Sequence, residues 1–84
     1  MSISANTVVC SVYDDKAKFF STPFFSQNEE VATRDFVDVI ENPKNPMSRN
    51  RNDYSLVTIG IFNADTGSLV AHEPKTIFHA SNIA

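Results

Sequence analysis

The sequence is poor in the residues that stabilise many very small proteins. It contains one cysteine, Cys10, in 84 residues, so an internal disulfide is excluded. Cys10, His72 and His79 are too few and too widely spaced for a zinc site, and we expect no metal and no cofactor. Because a core of this size often supplies only about 3–5 kcal/mol, self-association or a partner surface is the remaining source of extra stability.

Glycine and long apolar runs are also scarce. Gly60 and Gly67 are too few for a glycine-rich phosphate loop. No apolar run approaches the roughly 20 residues of a membrane span. The opening MSISANTVVC has neither the basic residue nor the apolar segment of a secretory signal. With a lone cysteine, these absences predict a protein of a reducing cytoplasm that has no membrane partner.

The composition is that of a folded chain, with 42% hydrophobic and 20% charged residues. Its length predicts a single domain, residues 1–84. The net charge of -3 gives no overall attraction for nucleic acid, so nucleic-acid binding would depend on a local basic patch.

Apolar patterning predicts an α+β fold with a small antiparallel sheet of two hairpins. Residues 7–13 and 18–22 form the first hairpin, and residues 54–62 and 68–72 form the second. Alternation in the first strand places Val8, Cys10 and Val12 on one face. Pro23 ends the second strand or marks an edge, and Pro74 ends the fourth. Residues 76–80 dock afterwards as a short helix or an edge strand, giving the order ββαββ plus a C-terminal element.

An amphipathic helix over residues 29–41 separates the two hairpins. Ser26 and Glu29 have capping-box spacing, and Asn28 is an alternative cap. Residues at helical spacing form an apolar face: Ala32, Phe36, Val39 and Ile40. The opposite face is charged: Glu30, Arg34 and Asp38. Pro43 and Pro46 stop the helix, and the chain through Asp53 is typical of a long polar loop.

Three ordered segments of the chain resemble the small nonstructural protein of gokushovirus-type microviruses, which are single-stranded DNA phages. The first is 11–17 leading to 23–25, the second is 32–36 running into 42–43, and the third is 53–56 followed by 59–67. The chain departs from the family pattern at Asn50–Arg51–Asn52, where a His-Pro pair is frequent, and at Ile61, where a charge is common. The resemblance implies a role in genome replication or packaging, with single-stranded DNA as the expected ligand, and it assigns no active residues.

Two groups of cations are the candidate nucleic-acid site. Lys44, Arg49 and Arg51 lie in an acid-free stretch, and Lys16 and Lys18 precede Phe19–Phe20. Tyr13 and Tyr54 are close to these groups in sequence. Cations that contact phosphates beside aromatic rings that stack bases are typical of sequence-tolerant single-strand binding. The competing interpretation is a solvated loop with core phenylalanines.

The doubled phenylalanines, Phe19–Phe20 and Phe24–Phe25, predict a second buried surface. Neighbours in a strand point to opposite faces, so one ring of each pair faces away from the single helix unless the tail covers it. This pattern favours a homodimer.

Catalysis is poorly supported by the sequence. Asp14 and Asp15 occupy a predicted turn, where aspartate is common for backbone reasons. His72 and His79 have no evident charge partner, and Cys10 is expected to be a small buried apolar residue. We therefore expect a binding protein that is not an enzyme. Its leading ligand is single-stranded DNA, and the alternative is an assembly accessory that contacts coat or replication proteins.

Overall fold

Three long strands form most of an antiparallel sheet in the computed structural model, which describes residues 6–83. β1 (Asn6–Asp14) pairs with β4 (Tyr54–Asn63), and β4 pairs with β5 (Ser68–His79). Two short strands, β2 (Phe19–Phe20) and β3 (Phe24–Ser26), pair one after the other along the remaining edge of β1. The predicted mixture of helix and antiparallel sheet is confirmed, whereas the predicted order ββαββ is wrong because three strands precede the helix.

The additional strand, β3, begins directly after Pro23, the residue predicted either to end the second strand or to mark it as an edge. The predicted second strand, 18–22, is reduced to Phe19–Phe20. After Phe20, hydrogen bonds from Ser21 take the place of regular strand pairing. The Ser21 amide donates to the Val12 carbonyl at 2.8 Å, and the Ser21 hydroxyl accepts from the Val12 amide at 2.9 Å. Pairing resumes beyond the proline, where Phe25 lies opposite Val9. Proline is tolerated because this is the short, interrupted edge of the sheet.

The α-helix, α1 (Glu29–Glu41), has the predicted bounds. Its cap is Asn28, whose Oδ1 accepts from the Val31 amide at 2.8 Å. The Ser26 capping box is wrong, because the buried Ser26 hydroxyl instead donates to the Asn28 carbonyl at 3.2 Å. The alternative cap is therefore confirmed, and Ser26 supports it from the end of β3.

The core lies between α1 and one face of the sheet. Its buried cluster is Cys10, Ala32, Phe36, Ile40, Leu56 and Ala80. Val8 and Val12 pack against it, which confirms the predicted face of β1. Val39, which the pattern places on the same apolar face as the buried Ala32, Phe36 and Ile40, is 41% exposed. Its position at the side of the helix opens onto a cleft rather than onto the sheet.

β5 continues through Pro74, so the predicted end of the fourth strand at that residue is wrong. The register explains why: Thr58 pairs with Lys75 and Gly60 with Ala71, so the residues between them bulge out of the ladder. A bulge in an edge strand accommodates a residue without an amide donor. Gly60 permits the close approach there, because a Cβ at this position would lie 2.7 Å from the Val70 carbonyl oxygen.

The predicted polar loop after α1 contains regular structure. Its second part is a 3-10 segment, Pro46–Asp53, with a kink at Asn50. Asn45 caps the segment by accepting from the Met47 amide at 2.9 Å, and Met47 packs against the core. One apolar side chain thus attaches an otherwise polar stretch to the fold.

The C-terminal segment, for which the sequence allowed either a helix or a strand, completes β5 through His79 and then forms a short 3-10 turn, Ala80–Asn82. Ala80 is fully buried in the core cluster. The His79 side chain caps the turn by accepting from the Ser81 amide at 3.1 Å.

Candidate nucleic-acid interface

The turn between β1 and β2 presents Lys16 and Lys18. Asp14 organises it: its Oδ1 accepts from the amides of Lys16 and Ala17 at 2.9 and 3.0 Å, and its carbonyl accepts from the Lys18 amide at 2.7 Å. Both lysines are exposed. The predicted turn role of Asp14 is therefore confirmed, since its carboxylate holds the backbone that displays the cations.

A backbone hydrogen bond joins the turn to the 3-10 segment, the two elements that carry most of these cations. The Asp15 amide in the turn donates to the carbonyl of Asp53, the last residue of the 3-10 segment, at 2.7 Å. The turn and the segment also line a shallow groove of about 330 Å³, to which Lys16, Asn50 and Tyr54 contribute. Residues more than thirty positions apart in sequence thus meet at one end of the sheet.

The remaining predicted cations lie in the 3-10 segment or in the turn that precedes it, and they differ in exposure. Arg49 is exposed and Arg51 is half-buried in the 3-10 segment. Lys44 is exposed in the preceding turn, where its amide donates to Asn42 Oδ1 at 3.0 Å. The five predicted cations are accompanied by three carboxylates, those of Asp14, Asp15 and Asp53. The local charge is therefore mixed, with cations in excess.

The two predicted tyrosines do not form one site. Tyr13 pairs with Phe20 and with Ser55 on the sheet face that is directed away from α1. Tyr54 instead packs against the core cluster on the helix side. Because adjacent paired positions alternate between faces, the strand register separates the rings, although both lie at the same end of the sheet.

Rings that the sequence reasoning did not assign to the site accompany Tyr13 on the outer face. Phe20 is 44% exposed and lies against Tyr13, with ring centroids 4.7 Å apart. Further along the same face, the rings of Phe25 and Phe62 meet edge to face at 5.7 Å. The doubled phenylalanines could have indicated these outer-face rings, because neighbours in a strand point to opposite faces. Phe24 packs against the core, and Phe25 is exposed.

The acidic residues are concentrated elsewhere. Helix α1 carries five carboxylates against the single cation Arg34. Five of the seven lysine and arginine residues lie in the turn (Lys16 and Lys18), in the 3-10 segment (Arg49 and Arg51) or between α1 and that segment (Lys44). An anionic ligand is therefore favoured at the turn and disfavoured along the helix.

The other reactive side chains have structural roles. Cys10 is fully buried, and burial, together with the negative charge of Glu29, raises the pKa of its thiol. His72 Nδ1 lies 2.7 Å from the Glu73 carbonyl oxygen, and His79 caps the final turn. The expectation of a small buried Cys10 is confirmed.

Comparison with known proteins identifies a family. The family described as Phage ORF5 protein matches residues 7–83. No curated protein and no solved structure matches the chain significantly. Within residues 6–83, none of the helices has the length and apolar character required to cross a bilayer. Because the family match covers nearly the whole sequence, the chain belongs to the Phage ORF5 family of bacteriophage proteins.

Proposed function

We propose that this phage protein binds single-stranded DNA without sequence preference during genome replication or packaging, in the host cytoplasm and without catalysis. We place it with the gokushovirus-type microviruses, on the segments of sequence that resemble their nonstructural protein. The observation that carries the proposal is the exposed Phe20 ring, packed against the half-buried Tyr13, beside a turn that displays Lys16 and Lys18.

The two parts of this surface match the two chemical features of a single strand. Unpaired bases expose flat rings, and stacking on an aromatic side chain contributes about 1–3 kcal/mol per base. Phe20 is sufficiently exposed to accept a base, and its ring packs at a tilt against that of Tyr13. Phosphates then contact Lys16 and Lys18, and the strand continues toward Arg49 and Arg51.

A titration of labelled single-stranded oligonucleotide, followed by fluorescence anisotropy, tests this function. We expect micromolar or tighter affinity that falls with salt, because phosphate binding releases counterions. Replacing Arg49 and Arg51 with alanine should lower the slope of log K against log salt by about 0.7 for each phosphate that the variant no longer neutralises. Arg34→Ala on the acidic helix is the matched control and should leave the slope unchanged.

Absence of binding at low salt would remove the proposal. An equal effect of Arg34→Ala and the paired arginine variant would remove the site assignment alone. Phe20→Ser separates stacking from charge: it should weaken binding while preserving the salt slope.

The opposite end of the sheet favours a second candidate, self-association or contact with coat or replication proteins. The hairpin tip, residues 61–70, exposes Ile61, Leu69 and Val70 by 44%, 61% and 60%. On the outer face, Leu69 pairs with Phe62, which packs against the 58% exposed Phe25 and so extends the apolar surface. Ile61 and Val70 lie on the other face of the tip. Contiguous exposed apolar residues commonly mark protein interfaces. We propose a homodimer formed through this tip, leaving the cationic end available to DNA.

Sedimentation equilibrium distinguishes the oligomeric states. We expect a dimer for the unmodified chain and a monomer for Val70→Asp, with unchanged circular dichroism. A wild-type monomer at high concentration would contradict the dimer. In that case, loss of coat-protein or replication-protein binding in Val70→Asp would support the accessory role instead.

A further inference from the structure

An apolar cleft lies between the β1–β2 edge of the sheet, α1 and the 3-10 segment. Its volume is about 580 Å³, within the range of roughly 300–1,000 Å³ typical of ligand pockets. Seven of the residues that line it are apolar or aromatic: Val12, Phe19, Phe24, Phe36, Val39, Met47 and Tyr54. Neither DNA stacking on the outer face nor dimerisation through the hairpin tip uses this space.

The cleft keeps large apolar side chains in contact with solvent. Phe19 is 60% exposed and Val39 is 41% exposed. They lie on different elements, β2 and α1, and both face the same space. Covering them would remove apolar surface from water, which stabilises a complex in proportion to the area buried.

The charged groups in the lining are both acidic. Asp14 contributes from the end of β1 and Asp35 from α1, while Ser21 is the remaining polar residue. Oδ1 of Asp14 accepts from both turn amides, those of Lys16 and Ala17. The helix that forms one wall is itself strongly acidic. Phosphate groups are repelled here, whereas an ammonium or guanidinium group is attracted.

We propose that this cleft docks a cationic segment of another protein, which inserts an aromatic or large aliphatic side chain between Phe19 and Val39. Lysine or arginine residues beside that anchor approach Asp35 and Asp14. Binding of this kind concentrates affinity in a buried anchor and uses the surrounding charges for selection. The proposal goes beyond DNA binding and does not depend on it.

Selection from a random peptide library on the folded protein tests the proposal. We expect enriched peptides to combine an aromatic or leucine residue with flanking lysine or arginine. Affinity of a synthetic copy of the most enriched peptide should fall about tenfold or more in Val39→Asp. Asp35→Lys, an exposed change of charge alone, should also weaken it. Val70→Asp, on the hairpin tip, is the matched control and should leave peptide affinity unchanged.

Several outcomes would overturn the assignment. Enrichment of acidic peptides, failure to enrich any peptide, or equal binding by Val39→Asp and wild type would each do so. Competition between the peptide and an oligothymidine would assign the cleft to nucleic acid, and loss of dimer in Val39→Asp would assign it to a second copy. Val39 is not among the proposed DNA contacts, so its variants should retain DNA affinity at about 0.15 M salt, where the helix charges are largely screened, if the proposed function holds.

Discussion

Lys18 occupies a backbone conformation that favours glycine. Its φ is 64°, in the left-handed region, where a Cβ atom costs about 1 kcal/mol. A hydrogen bond within the turn offsets this cost: the Lys18 amide donates to the Asp14 carbonyl at 2.7 Å. A charged side chain retained at a position better suited to glycine is consistent with its proposed role in phosphate binding.

Lys18→Gly should therefore stabilise the protein while weakening DNA binding. Glycine removes the conformational penalty of the left-handed region but increases the conformational entropy of the unfolded chain. Because the first effect is larger, the free energy of unfolding should rise by about 0.5 kcal/mol. Lys18→Ala loses the same charge but keeps its Cβ, so it should weaken DNA binding equally without the gain in stability. Thermal unfolding and anisotropy measure the two effects. Equal stability of both variants would contradict the backbone argument.

Burial of Cys10 predicts a pH-dependent contribution to stability. The folded state holds the pKa of the thiol above its ordinary value of 9.0, first through burial and then through Glu29. The unfolded chain loses this proton at lower pH than the folded chain, so the contribution is full below pH 9.0 and is lost as pH rises through the folded pKa. The stability advantage of wild type over Cys10→Ala should therefore shrink as pH rises above 9.0. Chemical denaturation at several pH values measures it, and a constant difference would contradict the linkage.

At the scale of elements, local sequence signals predicted the bounds of the helix more accurately than those of the strands. Asn28 and Pro43 bracket α1, so its bounds followed from the sequence. The alternation of apolar and polar residues also predicted the positions of the strands that form the two hairpins. The sequence did not predict β3 or the second half of β5. Pro23 and Pro74 indicate strand ends, but a proline ends a strand only where its missing amide would have donated a hydrogen bond to a neighbouring strand.

Removal of the α1 cap should destabilise the fold measurably. Asn28→Ala leaves the Val31 amide without its side-chain acceptor and should cost about 1 kcal/mol. Gln27→Ala, at an exposed position just before the cap, is the control and should change stability little. Urea denaturation compares the two. A similar loss for both would mean that the cap contributes no specific stability.

The candidate site was predictable in its composition and not in its arrangement. The five cations were evident because Lys44, Arg49 and Arg51 lie in an acid-free stretch, while Lys16 lies in a predicted turn and Lys18 follows it. Their meeting at one end of the sheet depends on the pairing of β1 with β4 and on the Asp15–Asp53 bond, which no local pattern encodes. The separation of the two tyrosines depends on the same register.

The whole molecule is electrically polarised despite its small net charge. Cations concentrate in the turn and near the 3-10 segment, while α1 is acidic. The radius of gyration is only 13.4 Å, close to one Debye length at 0.1 M salt, about 10 Å. The helix carboxylates therefore oppose DNA binding at low salt and are progressively screened as salt rises.

Neutralising exposed helix carboxylates should raise DNA affinity in a salt-dependent way. The double variant Asp38→Asn, Glu41→Gln removes two of the five negative charges of α1. We expect a several-fold gain at about 10 mM salt, where the Debye length is about 30 Å, and little gain near 1 M. Anisotropy titrations of the same oligonucleotide supply both measurements. A gain independent of salt would show that the substitutions act through structure instead of through the long-range field.

The central ladder of the sheet also determines when this chain can fold. β1 pairs along its length with β4, which the ribosome makes only some fifty residues later. Until Asn63 has emerged, β1 can form only its short contacts with β2 and β3, and the inner face of α1 has no Leu56 to pack against. Long-range strand pairing slows folding because the entropy cost of closing the intervening loop comes before the stabilising contacts form. The core between α1 and the sheet therefore cannot be completed before β4 has been synthesised, and the phenylalanine-rich strands stay exposed until then.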